Sequence, residues 1–482
     1  MKNIRNTITV AACLGIALLF NSAIAQDVTS LAKLVAETQR SPGMQHAMLS
    51  VCVYDVKSAT PLYSSNSQQS LTPASLQKLL TTGTGFAQLG SRFRFVTKVS
   101  MRGEVDRDGV LHGNIYIAGG GDPLLGSYRY RQTSPDSLFA GWLTALKRKG
   151  VRRVDGRVCY CTSVFDDQVL HDNWLWGDVG NYYAAGVCGL NFHENMYFVY
   201  FNPGPKVNHP ANVVGIKPKN TNVHGTCEVT TGAENSGDGV TIYGSPTSVE
   251  RLYRGTVPLG KKNFAVRGAM PNPAQHCADL FATHLRANGI SIPANSMRIY
   301  TLPDSLRSVI DQSSPEFFTI AQYTNLTSNN IYAESIFKYL GYNRYSEGSF
   351  AAGARAVADY LHTKGIDMGG VHIDDGSGLS RCNRLTADFM CRYLSAISRE
   401  PFYEDFLATM KEKSESLLGR SNPDKEVRVK SGTMDGVKSC AGYVVTRQGR
   451  TLAFCVISNC HECTSQEAGA KLDKIVAKIA AL

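Results

Sequence analysis

After its first 25 residues the chain lacks any run approaching the ~18 consecutive apolar residues that a membrane-spanning helix needs, which argues against a further membrane anchor. It also lacks a dense basic or acidic block. Its 50 Lys and Arg are dispersed against 40 Asp and Glu, for a formal charge of +10, so composition does not point to nucleic acid as a partner. No His-Glu-x-x-His is present, which speaks against a zinc peptidase, and no Gly-x-Ser-x-Gly elbow accompanies the eleven histidines, which speaks against a Ser-His-Asp hydrolase. Gly119-Gly120-Gly121-Asp122-Pro123 has neither the Lys nor the Ser/Thr of a phosphate loop and reads as a turn with positive backbone dihedrals. Internal repeats and low-complexity tracts are absent as well.

What is present begins with a targeting segment. Lys2 and Arg5 form a charged head, Ile8 to Phe20 an apolar body, and Ala23-Ile24-Ala25 a small-residue cleavage site, so residues 1–25 read as a signal peptide. Its removal would leave a mature charge of +8. Twelve of the thirteen cysteines follow it, and an even number in an exported chain predicts disulfides of unknown pairing. Cys460-His461-Glu462-Cys463 reads alternatively as a redox pair or as half a zinc site with Cys159-Tyr160-Cys161 as the other half, a weaker fit to the spacing than oxidation to structural disulfides, so no metal or cofactor is expected.

Along the mature chain the texture changes twice. A helix over Leu31–Thr38, a strand over Met48–Val56 and its hairpin partner Pro61–Ser65 come first. From Phe93 to about Tyr300, short β-like runs are punctuated by Gly, Pro and Asn, with helices over Asp136–Lys149 and Pro273–Ala287. Trp174 to Tyr183, rich in aromatics around Asp178, reads either as a substrate-facing surface or as a core loop. Helices return from Phe317. Phe350–Lys364 and Thr386–Ser398 are helical, Val427 to Thr433 alternates as a strand, and a hairpin crosses Gln448-Gly449. The chain closes on a helix that Thr464 and Glu467 cap reciprocally. The two ends would share one sheet around an insertion, giving a discontinuous domain of residues 26–92 and 301–482 with a β-rich region over 93–300.

Three polar signatures stand in order. In the first, Thr72 reads as an N-cap and Pro73 as the first helical residue, placing Ser75 and Lys78 on one helical face, where the amine would take the hydroxyl proton. Ser328-Asn329-Asn330 follows 253 residues after Ser75, with Ser328 read as an N-cap, and Lys430-Ser431-Gly432 lies on the late strand. Each signature is weak alone. This ordered set is the signature of penicillin-binding proteins and class A β-lactamases.

The pattern resembles the class C low-molecular-mass penicillin-binding proteins, exported D-alanyl-D-alanine carboxypeptidases and endopeptidases, over essentially the whole mature chain. The long gap between the first two motifs, Gly119–Pro123, the Trp174–Asp178 neighbourhood and Asp375-Gly376-Ser377-Gly378-Leu379-Ser380-Arg381 are similar to that family; Ser431, where threonine is usual, Asn329 in the variable middle of its triplet and the high cysteine count depart from it. The resemblance implies an α/β (α+β) transpeptidase-like domain, with an antiparallel sheet between helices and a helical lobe carrying Ser328. It implies Ser75 as nucleophile, Lys78 as base, Ser328 as proton relay and Asn330 on the substrate amide. Lys430, Ser431 and Thr433, beside Gly432, would grip the substrate carboxylate, and the amides of Ser75 and Thr433 would form the oxyanion hole. Asp178 and Arg381 would meet the stem-peptide side chain, Arg381 being equally readable as a structural ion-pair partner. Peptidoglycan stem peptides become the expected substrate, β-lactams the expected inhibitors and the periplasm the expected location. A serine β-lactamase or esterase with the same motifs, or a non-catalytic cell-wall-binding protein, are the alternatives.

Overall fold

A computed structural model describes residues 26–219, 221–412, 427–446 and 448–482, so the signal segment lies outside the described residues. These residues divide into two compact units: one of residues up to Leu79 with Ala358–Ile373 and Cys382–Leu482, the other of Leu80–Val357 with Asp374–Arg381.

The first unit is built on a six-stranded antiparallel sheet in the order Lys411–Glu412, Val427–Met434, Val437–Val445, Thr451–Asn459, Met48–Asp55 and Thr60–Ser65. The pleat sends alternate residues to opposite faces. Leu49, Val51, Val53, Val427, Val429, Cys440, Val444, Phe454 and Val456 share one core with Leu31 and Val35 of the helix over 26–40 and with Leu472, Ile475 and Val476 of the helix Ser465–Ile479. Residues of the other face turn to the helix Ala387–Ile397: the Tyr54 hydroxyl donates to Asp388 Oδ1 at 2.7 Å and the Tyr443 hydroxyl to Leu394 O at 2.7 Å. An antiparallel sheet between helices is thus what the ends of the chain form. The last helix opens on the reciprocal Thr464–Glu467 cap read in the sequence, and Thr386 caps Ala387–Ile397.

The second unit holds the β-rich stretch. One sheet orders Met297–Ile299, Val158–Cys161, Val110–Ala118, Val96–Val105 and Arg307–Ser313, with Arg153–Val154 beside Val110–Ala118, and packs on the helices Pro135–Arg148 and Pro273–Ala287. Two three-stranded sheets, of Gly239–Tyr243, Glu250–Pro258 and His224–Gly232 and of Phe264–Ala269, Met196–Asn202 and Asn212–Lys217, share a further core around Tyr197, Val199, Phe201 and Tyr253. Gly121 has φ +79°, as the turn reading of Gly119–Pro123 requires.

The cysteine expectation is corrected. The twelve described cysteines carry free thiols, and eight are buried, where a thiol acts as a small apolar side chain. Cys52 and Cys455 face each other across neighbouring strands, and Cys391 donates to Cys52 O at 3.3 Å.

Candidate active site

In the first unit the helix of the Ser-x-x-Lys motif does not begin as its sequence suggests. A 3-10 turn, Ala74–Leu76, precedes the α-helix Gln77–Leu89; Pro73 occupies the cap position, and no side chain caps it. Thr72 instead ties the segment down: its amide donates to Asn459 Oδ1 at 2.9 Å, its carbonyl accepts from Asn459 Nδ2 at 3.1 Å, and its hydroxyl accepts from Arg384 at 3.1 Å. Ala74 sits at φ +49°, a left-handed conformation that costs an L-residue ~1 kcal/mol or more. That strain falls on the residue before Ser75.

The expected pair is in place. Lys78 Nζ donates to Ser75 Oγ at 2.9 Å; Lys78 is fully buried, and Ser75 is half-buried. Lys430, 2% exposed, donates to Ser431 O at 2.7 Å. Its ammonium is held well below the usual lysine range, first by burial and then by the charge of Lys78 beside it. A positioned hydroxyl, an amine on it and a second amine disfavouring shared protonation constitute the parts of an activated serine.

The pleat sorts the third motif. Lys430 and Gly432 lie on one face of Val427–Met434, and Ser431 and Thr433 on the other. Gly432 faces the serine segment: an added Cβ would stand 2.4 Å from Ser439 Oγ, 2.7 Å from Pro73 O and 2.9 Å from the Ser75 amide nitrogen. Ser439 Oγ itself donates to Pro73 O at 2.7 Å. The Thr433 hydroxyl accepts from Lys438 Nζ at 2.8 Å, a contact the sequence reading did not foresee.

The second unit carries Ser328, Asn330, Asp178 and Arg381. Here too a cap is corrected. Ser328 ends the helix Phe317–Thr327 in the left-handed conformation (φ +56°), and it is Asn329 that caps Asn330–Tyr345, accepting from the Tyr332 amide at 3.4 Å. Asn330 Nδ2 donates to Tyr183 O at 2.7 Å, and the Tyr183 hydroxyl donates to Asp178 Oδ1 at 3.0 Å. Asn330 and Asp178 are therefore linked through one tyrosine, in a segment that is part surface and part core: Trp176 is 62% exposed, whereas Trp174 and Asn181 are buried. Arg381 closes the loop Asp374–Arg381, half-buried. Asp375 builds that loop by accepting from Trp174 Nε1 at 2.9 Å and from the amides of Gly378 and Ser380. Beneath it the buried Glu334 accepts from the amides of Gly376 and Ser377, and burial, then the neighbouring Asp375, pushes its carboxyl up to about 8.

Ser328, Asn329 and Asn330 line a cleft of about 170 Å³ with Tyr183, and its walls also include Arg129, Glu194, Arg267 and Tyr323, which were not singled out in the sequence. Arg129 pairs with the buried Glu194 at 2.8 Å and stacks on Tyr323, 4.2 Å from the ring centroid. Arg267 stacks at 3.6 Å on Tyr182. Glu194 lies in a left-handed turn with His193 and Asn195 (φ +54°, +58° and +48°), a backbone that only its surroundings can hold. No motif marks these residues; three consecutive left-handed residues have no sequence signal.

Residues 31–480 match the profile of the D-Ala-D-Ala carboxypeptidase 3 (S13) family. The chain belongs to this family. The D-alanyl-D-alanine carboxypeptidase of Actinomadura sp. (strain R39) is 27% identical to this S13 chain over 472 residues, covering 90% of it and 82% of the relative. The D-alanyl-D-alanine carboxypeptidase DacB of Haemophilus influenzae is 26% identical over 403 residues, 79% of each chain. The crystal structure of penicillin binding protein 4 (dacB) from Haemophilus influenzae shares the fold with a TM-score of 0.79 at 20% identity, covering 94% of this chain and 99% of that one. Among the described residues, no helix is long and apolar enough to cross a membrane.

Proposed function

We propose that this S13 carboxypeptidase cleaves D-alanyl-D-alanine peptides through an acyl-enzyme on Ser75. The observation that carries the reading is the 2.9 Å contact from Lys78 Nζ to Ser75 Oγ, with Lys430 buried beside Lys78. Ser75 Oγ attacks the peptide carbonyl while its proton passes to the Lys78 amine, whose neutral form the neighbouring Lys430 favours by charge repulsion. The amides of Ser75 and Thr433 receive the developing oxyanion; Ser328 returns a proton to the leaving D-alanine nitrogen, and Asn330 holds the substrate amide. The Ser431 and Thr433 hydroxyls, on the exposed face of their strand, hydrogen-bond the terminal carboxylate while the Lys430 charge on the other face attracts it, and Asp178 and Arg381 meet the stem-peptide side chain. Water then releases the acyl group.

The biological setting belongs to the same proposal. The substrate is the peptidoglycan stem peptide, cleaved as a carboxypeptidase and also as an endopeptidase, and residues 1–25 direct the chain to the periplasm before removal. The catalytic parts belong to residues 26–92 and 301–482, with 93–300 as the inserted region. β-Lactams acylate Ser75, in keeping with the Haemophilus influenzae relative described in complex with a β-lactam.

Intact mass after incubation with benzylpenicillin tests this, on wild type and Ser75→Ala. The expected result is a one-to-one adduct that persists for minutes and is missing in the variant. Rapid turnover to penicilloate would mark a β-lactamase, and neither adduct nor turnover would leave a cell-wall-binding protein.

A further inference from the structure

The second unit contains another cavity, of about 130 Å³, that shares no lining residue with the cleft of Ser328 and Asn330. Val169, Leu170, Val179 and Met270 give it apolar walls. Arg251 lines it and is only 4% exposed. Its Nη1 donates to the carbonyls of Ser245, Ser248 and Glu250, and its Nη2 donates to Ala269 O at 3.1 Å. Its Nε has no hydrogen-bond partner, and none of its contacts is a carboxylate. Buried cations are ordinarily paired with an anion, because removing a lone charge from water is unfavourable. The acidic side chains of the wall do not supply that pairing: Asp167 pairs with Arg298, and Asp166 with Lys338.

A second, independent positive feature meets the same space. The helix Pro273–Ala287 starts at the cavity, with Asn272, Pro273, Ala274 and Gln275 in its lining. It has neither a side-chain cap nor an acidic residue in its first turn, so the positive end of its dipole is uncompensated by its own sequence.

We propose that this cavity binds a small organic carboxylate, the carboxylate held by Arg251 and the first turn of the helix and the apolar part against Val169, Leu170, Val179 and Met270. One guanidinium and one helix terminus suit a single negative charge, and the apolar walls select an organic acid over inorganic phosphate. The site is independent of acyl transfer at Ser75.

Calorimetric titration of the full chain with N-benzoylglycine, N-benzoylglycinamide and inorganic phosphate tests this. The acid is expected to bind at least about tenfold more tightly than the amide or phosphate, before and after treatment with benzylpenicillin. Arg251→Met would also break the ties to four carbonyls, so the informative variant is Gln275→Glu. Gln275 is exposed at the cavity mouth, and a glutamate in the first turn suits the helix while repelling the ligand. Gln275→Glu should weaken the acid about tenfold, leave the amide unchanged and leave the melting temperature undiminished. Equal binding of acid and amide, phosphate binding as tightly as the acid, no binding at millimolar acid, loss of binding after benzylpenicillin, or indifference to Gln275→Glu would each overturn the proposal.

Discussion

Gly432 packs its Cα directly against the backbone of Ser75, so closely that a methyl group there would lie 2.9 Å from the Ser75 nitrogen and 2.7 Å from Pro73 O. Real Cβ atoms do not approach other atoms below 3.0 Å, so Gly432→Ala must push the strand Val427–Met434 away from the serine. The amide proposed as oxyanion donor then loses its place. Acylation by a chromogenic β-lactam is expected to slow by about 10²-fold, the loss typical of removing one such donor, while the chain stays folded. An unchanged acylation rate would remove the Ser75 amide from the mechanism.

The second prediction concerns Lys430. Burial and Lys78 lower its folded pKa below that of the unfolded chain, which therefore binds more protons at any pH between the two values. Stability contributed by this group accordingly rises with pH through that interval, up to the ordinary lysine pKa of about 10.4. Lys430→Met removes the term. The variant should be more stable than wild type near neutral pH, on the order of 1 kcal/mol, with a flatter pH profile in urea unfolding, yet lose about 10²-fold in acylation rate. A variant both less stable and fully active would contradict this account.

Structure is legible in this sequence where local chemistry decides it, and not where distant residues do. Thr464 and Glu467 cap their helix as spaced, Pro273–Ala287 is the helix its residues predict, and Val427–Met434 alternates as a strand should. Ser328 and Asn329 are both good capping residues, and the left-handed backbone of Ser328, which residue type does not announce, decides between them. Ala74 is the same case: no propensity predicts an alanine at φ +49°, and the Thr72–Asn459 pairing across 387 residues helps fix the segment. Arg129, Glu194 and Arg267 were invisible because their partners lie 65 to 194 positions away in the chain, at Glu194, Tyr182 and Tyr323.

Glu334 supplies the third prediction. Its folded carboxyl titrates at about 8 against an ordinary 4.5, so the native state holds the extra proton between these values. The stability this gives is fully present below pH 4.5 and is lost as pH rises through 8, opposite in sign to Lys430. Glu334→Gln deletes the titration, although its amide NH₂ must face one of the donor amides of Gly376 and Ser377 and lowers stability by roughly 1–3 kcal/mol at acid pH. Stability measured from pH 5 to 8 should fall more steeply in wild type than in the variant, by up to about 1.4 kcal/mol per pH unit. Parallel profiles would show that Glu334 is already ionised at pH 5.

Arg267 is the cation of the Ser328 cleft that no carboxylate neutralises among its described contacts, since Arg129 is already paired with Glu194 while Arg267 only stacks on Tyr182. An exposed guanidinium held by a ring can turn its N–H groups to a substrate carboxylate without first breaking an ion pair. The carboxylates of a stem peptide are the partners it suits. Arg267→Ala should raise KM about tenfold for a peptide with a free side-chain carboxylate and leave kcat nearly unchanged, because a contact made equally in ground and transition states affects binding alone. The same peptide with that carboxylate amidated should show no difference between wild type and variant. Equal KM increases for both peptides would assign Arg267 to the shape of the cleft through Tyr182 rather than to charge recognition, and a fall in kcat alone would place it in the chemical step.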